Sequence, residues 1–312
     1  MHLYKYVANP KYILEDGYIR ATQLNALNDP FEANYSKEGL KELVGEFEGT
    51  SKGEEFINYI EENRHKVGVI SFTESKDDLL MWAHYADEHK GALIGFHFFD
   101  DATPNIFMHD GSAMTNDHNY FNGKCLPVTY RKQPIYVIDK FDRDYCNIGA
   151  EGEDRILFEI FQQKSNEWIY EKEHRITLKL EQVDRIIIDN FRPYESEKWF
   201  INLFIENIFK EEKFFKFEGD KLFIFLENIS DDSNRFVYGN ILSSLAKDNP
   251  NILYLFKIPA SLWSIAYGVN ADETTIKDYS NECMITRFEK LQATVDYENY
   301  TLKFKKIYKG KK

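Results

Sequence analysis

VGVISFTESKDDLLMWAHYADEHKGALIGFHF, from Val67 to Phe98, reads strand, helix, strand. Val67 to Phe72 is β-branched or apolar around one Gly, as a buried strand requires. Lys76 to Asp87 suits a helix, with Ser75 able to accept from its first free N–H groups. Gly91 is the expected stop, and Ala92 to Phe98 returns as a strand. Ser71 and Thr73 close the first strand. Trp82, His84 and Tyr85 follow on the helix and cannot all face one core. Three hydrogen-bonding aromatics within one helix point to a pocket wall rather than to packing alone.

Around this unit the chain offers more strands than helices. Leu3 to Val7 is an expected strand, Pro10 to Glu15 a short helix capped by Asn9, Gly17 its stop, and Tyr18 to Thr22 a second strand. Asn28-Asp29-Pro30 is a turn signal. Lys37 to His65 reads as a charged helix with a solvated face. Asp100 to Lys124 is polar and lacks periodicity, and it is long for an unstructured connection. Leu126 to Tyr130 is an expected strand and Ile156 to Lys164 an expected helix. WIYEKEHRITLKL, Trp168 to Leu180, ends in strand alternation, with Ile176, Leu178 and Leu180 on one face. Glu195 to Lys210 and Asn234 to Lys247 read as amphipathic helices. Lys221 to Leu226 suits either strand or helix. Leu253 to Ile258, Ser264 to Tyr267 and an alternating edge strand, Tyr300 to Tyr308, complete the set. The fold class expected is α+β: small mixed or antiparallel sheets forming a cleft. The core would be built from 1–190 and 253–312, with a mainly helical insertion over 191–252.

Composition narrows the function classes. With 43% apolar residues among 312, the chain can bury a sizeable core. No apolar run is long enough to span a bilayer, and the N-terminus lacks a basic segment followed by an apolar one. Cys125, Cys146 and Cys283 are odd in number and far apart, which supports neither a zinc knuckle nor a disulfide framework. A reducing, cytoplasmic setting is therefore expected. A net charge of −13 argues against broad phosphate-backbone binding, despite the basic tail from Lys303 to Lys312.

Common catalytic motifs are absent: there is no GxxxxGK[ST], GxGxxG, GxSxG or HExxH. His84 and His89 are five apart and poorly placed to share a metal, while His109 and His118 flank an acidic loop without diagnostic spacing. No metal site is expected. The strongest chemical candidate is Glu171-x-Glu173, followed by Arg175. On a strand starting near Ile169 these three alternate onto one face. Two carboxylates that close repel, so one has a raised pKa unless a cation is near. Such a pair can stabilise a cationic centre. Equally, Arg175 can pair one or both as a structural salt bridge. Asp29 and Glu32 allow two readings as well: cleft residues beside Lys5, or parts of a turn with Phe31 as a core plug.

Several blocks together resemble an uncharacterised bacterial family, domain of unknown function 2971: Leu3-Tyr4-Lys5-Tyr6, Leu27-Asn28-Asp29-Pro30-Phe31-Glu32, Met81 to Phe96, Trp168-x-Tyr170-Glu171-x-Glu173-x-Arg175, and Ile258 to Gly268. That family carries no established activity. The order of elements is also similar to the ADP-ribosyltransferase superfamily. There, an N-terminal strand bearing His or Arg precedes a short helix and a Gly-ended turn. A strand with Ser or Tyr follows, then a helix, a further strand, and a later strand with the catalytic Glu, often as Glu-x-Glu. Lys5 stands where that superfamily has His or Arg, a departure that removes a planar hydrogen-bonding group. The resemblance implies NAD as substrate, Glu173 as the catalytic carboxylate and Glu171 orienting the acceptor. Ser71 or Thr73 would hold the nicotinamide ribose side, and Lys5, Tyr6, Trp82 and Tyr85 would line the nucleotide pocket, with His84 and Arg175 near the cleft. By analogy, a toxin or anti-phage effector would follow. The alternative is a non-catalytic binding or sensor module on the same fold. It would use the aromatic insertion as a partner surface. Residues 195–210, apolar on two faces, suggest a homodimer or protein-partner contact.

Overall fold

The computed structural model describes residues 1–40, 52–98, 120–134, 150–191, 213–258, 262–272, 276 and 289–307. The helix expected over Glu195–Lys210, the dimer surface on it, and the loop holding His109 and His118 lie outside these residues.

The chain opens with β1 (His2–Val7), α1 (Lys11–Leu14) and β2 (Tyr18–Gln23). Gly17, at φ 73°, takes the left-handed turn between the last two. Next come α2 (Lys52–Asn63), β3 (Val67–Thr73), α3 (Leu79–Tyr85), β4 (Ala92–His97), β5 (Cys125–Pro127) and β6 (Thr129–Arg131). They are followed by α4 (Ala150–Phe161), β7 (Gln163–Ser165), β8 (Glu173–Lys179) and β9 (Arg185–Ile188). The hairpin β10 (Phe215–Glu218) and β11 (Lys221–Phe225), α5 (Asp232–Ser243), β12 (Leu253–Lys257), β13 (Leu262–Tyr267), β14 (Glu289–Asp296) and β15 (Thr301–Lys306) complete the described elements. The fold is α+β, and its sheet is mostly antiparallel.

Among the described residues thirteen strands hydrogen-bond into one continuous sheet, where separate small sheets were expected. Among the described strands only β13–β14 within it, and the separate pair β6–β7, run parallel. β3 is the branch point. Along one edge it pairs with β8 over its whole length, from Val67 opposite Lys179 to Thr73 opposite Glu173. Its other edge takes two strands at different levels. β2 meets it at Gly68 and Val69, and β1 meets it at Thr73. From there one arm runs β2-β12-β9-β11-β10 and the other β1-β4-β13-β14-β15. The two arms leave the same edge of β3 and diverge, so a fork opens beside Ile70, Ser71 and Phe72.

Side-chain alternation along β3 divides the core. Val67 and Val69 pack with Phe56 and Ile60 of α2 and Leu157 and Phe161 of α4. Ile70 and Phe72 point into the largest cluster, with Leu3, Ile94, Phe96, Ile176 and Leu178. A third cluster joins Trp82 of α3 to Tyr6, Leu93 and Ala266.

Several boundaries differ from the sequence expectation. α3 begins at Leu79, not Lys76, because Asp78 and not Ser75 caps it: its carboxylate accepts from the N–H groups of Leu80 and Met81. It ends at Tyr85, and Asp87, Glu88 and His89 follow with positive φ. Gly91 serves a different need, since a Cβ there would lie 2.2 Å from the Val7 carbonyl oxygen. Leu126 to Tyr130 is two short strands, not one. The helix expected over Ile156–Lys164 is α4, ending at Phe161, and Lys164 falls in β7. Within 37–65, residues 37–40 and α2 are helical. In the interval expected to be mainly helical, β10 and β11 form a hairpin that extends the sheet through β9.

Candidate functional site

Glu171 and Glu173 do not alternate along one strand. Asn166–Glu171 is a 3-10 helix, and Lys172 turns the chain at φ 45° before β8 starts at Glu173. Thr73 fixes this corner: its hydroxyl donates to the Glu171 carbonyl at 2.5 Å and accepts from the Ser75 N–H at 2.9 Å. The two carboxylates meet all the same, because both reach Lys164. Lys164 Nζ lies 2.6 Å from Glu171 Oε2 and 3.1 Å from Glu173 Oε2. The three side chains are only 5%, 2% and 4% exposed. The parallel pairing of β7 with β6 sets Lys164 in place. Tyr130 of β6 accepts the Glu173 N–H through its hydroxyl at 2.7 Å.

Arg175 also holds Glu173. Its Nε donates to Oε1 at 2.8 Å and its Nη2 to Oε2 at 3.0 Å, while Nη1 donates to the Phe161 carbonyl at 2.6 Å. Glu32 contacts the same guanidinium. The expected salt bridge therefore joins Arg175 to Glu173 and Glu32, not to Glu171. Glu171 is held instead by Tyr85, whose hydroxyl donates to Oε1 at 2.7 Å. Burial pushes the Glu173 carboxyl above the usual range, and Lys164 together with a hydrogen bond from Ser71 pulls it back. Lys164 is held well above the ordinary lysine range by Glu173 and Glu171, against the effect of its own burial.

A cleft of about 260 Å³ lies in the fork of the sheet. Lys5, Tyr6, Ser71, Thr73, Tyr85, Glu171 and Glu173 line it, joined by Glu32 and Lys164. Lys5 Nζ donates to the Ser71 carbonyl at 3.0 Å, on the β3 edge that neither arm covers. Burial lowers its pKa to about 8, with nearby Glu173 opposing and Arg20 adding to the shift. Tyr6 donates to the Ser75 carbonyl at 3.1 Å.

Four expected site residues stand apart from the cleft surface. Trp82 is fully buried behind it, donating its indole N–H to the Lys76 carbonyl and packing edge-on against Tyr6 at 5.2 Å. His84 is exposed, with its ring against Tyr85. Asp29 turns its Oδ1 to the Phe31 N–H at 2.9 Å, and its charge only partly offsets the burial that lowers the Arg175 pKa to about 9. Arg175 is buried and does not line the cleft. Phe31 is 72% exposed and plugs no core. Lys164, Tyr130 and Arg20, which also lines the cleft, carried no signal in the sequence, because each reaches the site through strand pairing across long sequence separations. Among the described residues no group of three or more His, Cys, Asp or Glu is arranged to hold a metal ion.

Residues 81–176 match the model of a family described as a protein of unknown function, DUF2971. That span runs from α3 through Glu171, Glu173 and Arg175, and it bears out the family resemblance in the sequence. No curated protein and no solved structure matches the chain.

Proposed function

We propose that the fork cleft binds NAD or a related nucleotide and that the protein is an ADP-ribosyltransferase-like enzyme. The observation that carries this reading is the convergence of Lys5, Ser71 and Glu173, from three separate strands, on one cleft. At about 260 Å³ the cleft is somewhat smaller than the roughly 300–1,000 Å³ of sites that enclose a whole ligand. It suits the nicotinamide-ribose half of a dinucleotide, with the rest extending outward.

In the reaction, the bond from the ribose C1′ to the nicotinamide nitrogen breaks and its electron pair leaves with neutral nicotinamide. The Glu173 carboxylate stabilises the oxocarbenium ion that develops at C1′. An acceptor O–H or N–H, oriented by Glu171, attacks C1′ and passes its proton to solvent. Ser71 holds the ribose side. Thr73 has both hydrogen-bonding roles of its hydroxyl engaged, so its part is to fix Glu171. A toxin or anti-phage effector role would fit such chemistry by analogy.

A second reading, a binding or sensor module without turnover, is favoured by one observation. Both oxygens of Glu173 already face cations, which reduces the charge it can lend to a transition state. One experiment separates the two. Nicotinamide release from NAD is measured for the wild type and for Glu173→Gln, with NAD binding followed by calorimetry. The enzyme reading expects release that falls about 100-fold in the variant. NAD binding without release supports the binding module, and absence of both rejects the nucleotide reading.

A further inference from the structure

The acids in the cleft are answered from within. Glu171 and Glu173 share Lys164, and Arg175 joins Glu173 to Glu32. Two cations remain. Lys5 on β1 contacts a backbone carbonyl, and among the described residues neither it nor Arg20 on β2 forms an ion pair. Arg20 gives its Nη2 to Gln23 Oε1 at 3.3 Å and to the Pro250 carbonyl at 3.2 Å, and its Nε is buried with no hydrogen-bond partner. Half-buried cations with no ion-pair partner leave charge that a ligand can answer. The two come from opposite arms of the fork and lie close enough to interact electrostatically. Thr22, two residues from Arg20 on the same face of β2, lines the same cleft.

We infer that Arg20 and Lys5 form an anion subsite for a phosphoryl or diphosphoryl group, bridging the two arms of the sheet. A guanidinium presents paired donors that fit phosphate oxygens, and an ammonium adds a compact charge. Naming the group as the diphosphate of a dinucleotide rests on the nucleotide reading above. The subsite itself rests on two cations from opposite arms that line one cleft and form no ion pair among the described residues.

Titration calorimetry on the full chain tests this with inorganic pyrophosphate, ADP-ribose, NAD and uncharged adenosine. The wild type should bind pyrophosphate and ADP-ribose. Arg20→Gln should weaken both by about tenfold or more, with Arg20→Lys intermediate. Wild-type affinity for both probes in Arg20→Gln, or no phosphoryl binding by the wild type, would overturn the subsite. NAD bound with no dependence on Arg20 overturns the subsite and leaves the nucleotide reading intact. Pyrophosphate bound through Arg20 with no affinity for NAD does the reverse. Should Arg20→Gln fail to fold, phenylglyoxal labelling of the wild type decides: pyrophosphate but not adenosine should protect Arg20, and equal labelling with and without pyrophosphate would contradict the assignment.

Discussion

Lys164 shows how much one side chain organises at the residue scale. It is nearly sealed from solvent and bonded to two equally buried carboxylates. Removing one member of such a group leaves uncompensated charge in a low-dielectric site. Lys164→Met should therefore cost about 3–5 kcal/mol near neutral pH, read by urea denaturation. In that variant the Glu173 carboxyl, already pushed up by burial, loses the Lys164 charge that pulls it back, so its folded-state pKa stands further above the unfolded value. Stability is then lost as pH rises past the unfolded pKa, and the deficit against wild type should shrink toward pH 5. A deficit independent of pH would mean that Lys164 acts through packing alone. Lys5 behaves in the opposite sense. Its pKa is lowered to about 8 from 10.5, chiefly by burial. Between those values the unfolded chain binds more protons, so the penalty is full below pH 8 and is relieved as pH rises. Lys5 keeps some solvent contact, so the wild type should gain only about 1–2 kcal/mol relative to Lys5→Met between about pH 7.5 and 10. A constant difference would place the Lys5 titration at its ordinary value.

At the scale of elements, helix propensity and close packing compete at Gly239 in α5. Alanine is favoured there by about 1 kcal/mol in helix formation. Yet its Cβ would stand 2.0 Å from the Glu181 carbonyl oxygen. That oxygen is backbone, in the 3-10 turn Leu180–Gln182, and cannot swing aside. Forced repacking of this kind costs roughly 1–3 kcal/mol, so Gly239→Ala should lower the thermal midpoint; a raised midpoint would show that α5 sits clear of the turn. Element types were legible wherever one period dominated. The strands around Val67–Thr73 and Ala92–His97 follow from β-branched and apolar runs. Helix ends were less so. SKDDL offers several capping side chains, and only the tertiary setting selects Asp78 over Ser75. The corner at Lys172 is likewise invisible, since nothing in Tyr-Glu-Lys-Glu-His marks a left-handed residue. The Glu-x-Glu pair still reached a common cation, for a reason the strand period does not contain.

The whole molecule explains why half of the site escapes sequence reading. The cleft exists because β1 and β2 compete for the same edge of β3 and meet it at different levels. Registers of that kind are set by packing across the entire sheet and leave no local trace. Lys5, Ser71 and Glu173 were recognisable because each sits on a strand with a clear pattern. Arg20 enters the cleft only through the fork, and Lys164 only through the short parallel pair β6–β7. We propose that the protein holds a nucleotide in this fork. A crystal structure of the full chain soaked with NAD tests it most directly. Ligand density is expected between Lys5 and Glu173, with the diphosphate against Arg20. A crystal saturated with NAD that shows this cleft empty, or shows the ligand in the separate cavity beside Phe31 and Arg131, would contradict it.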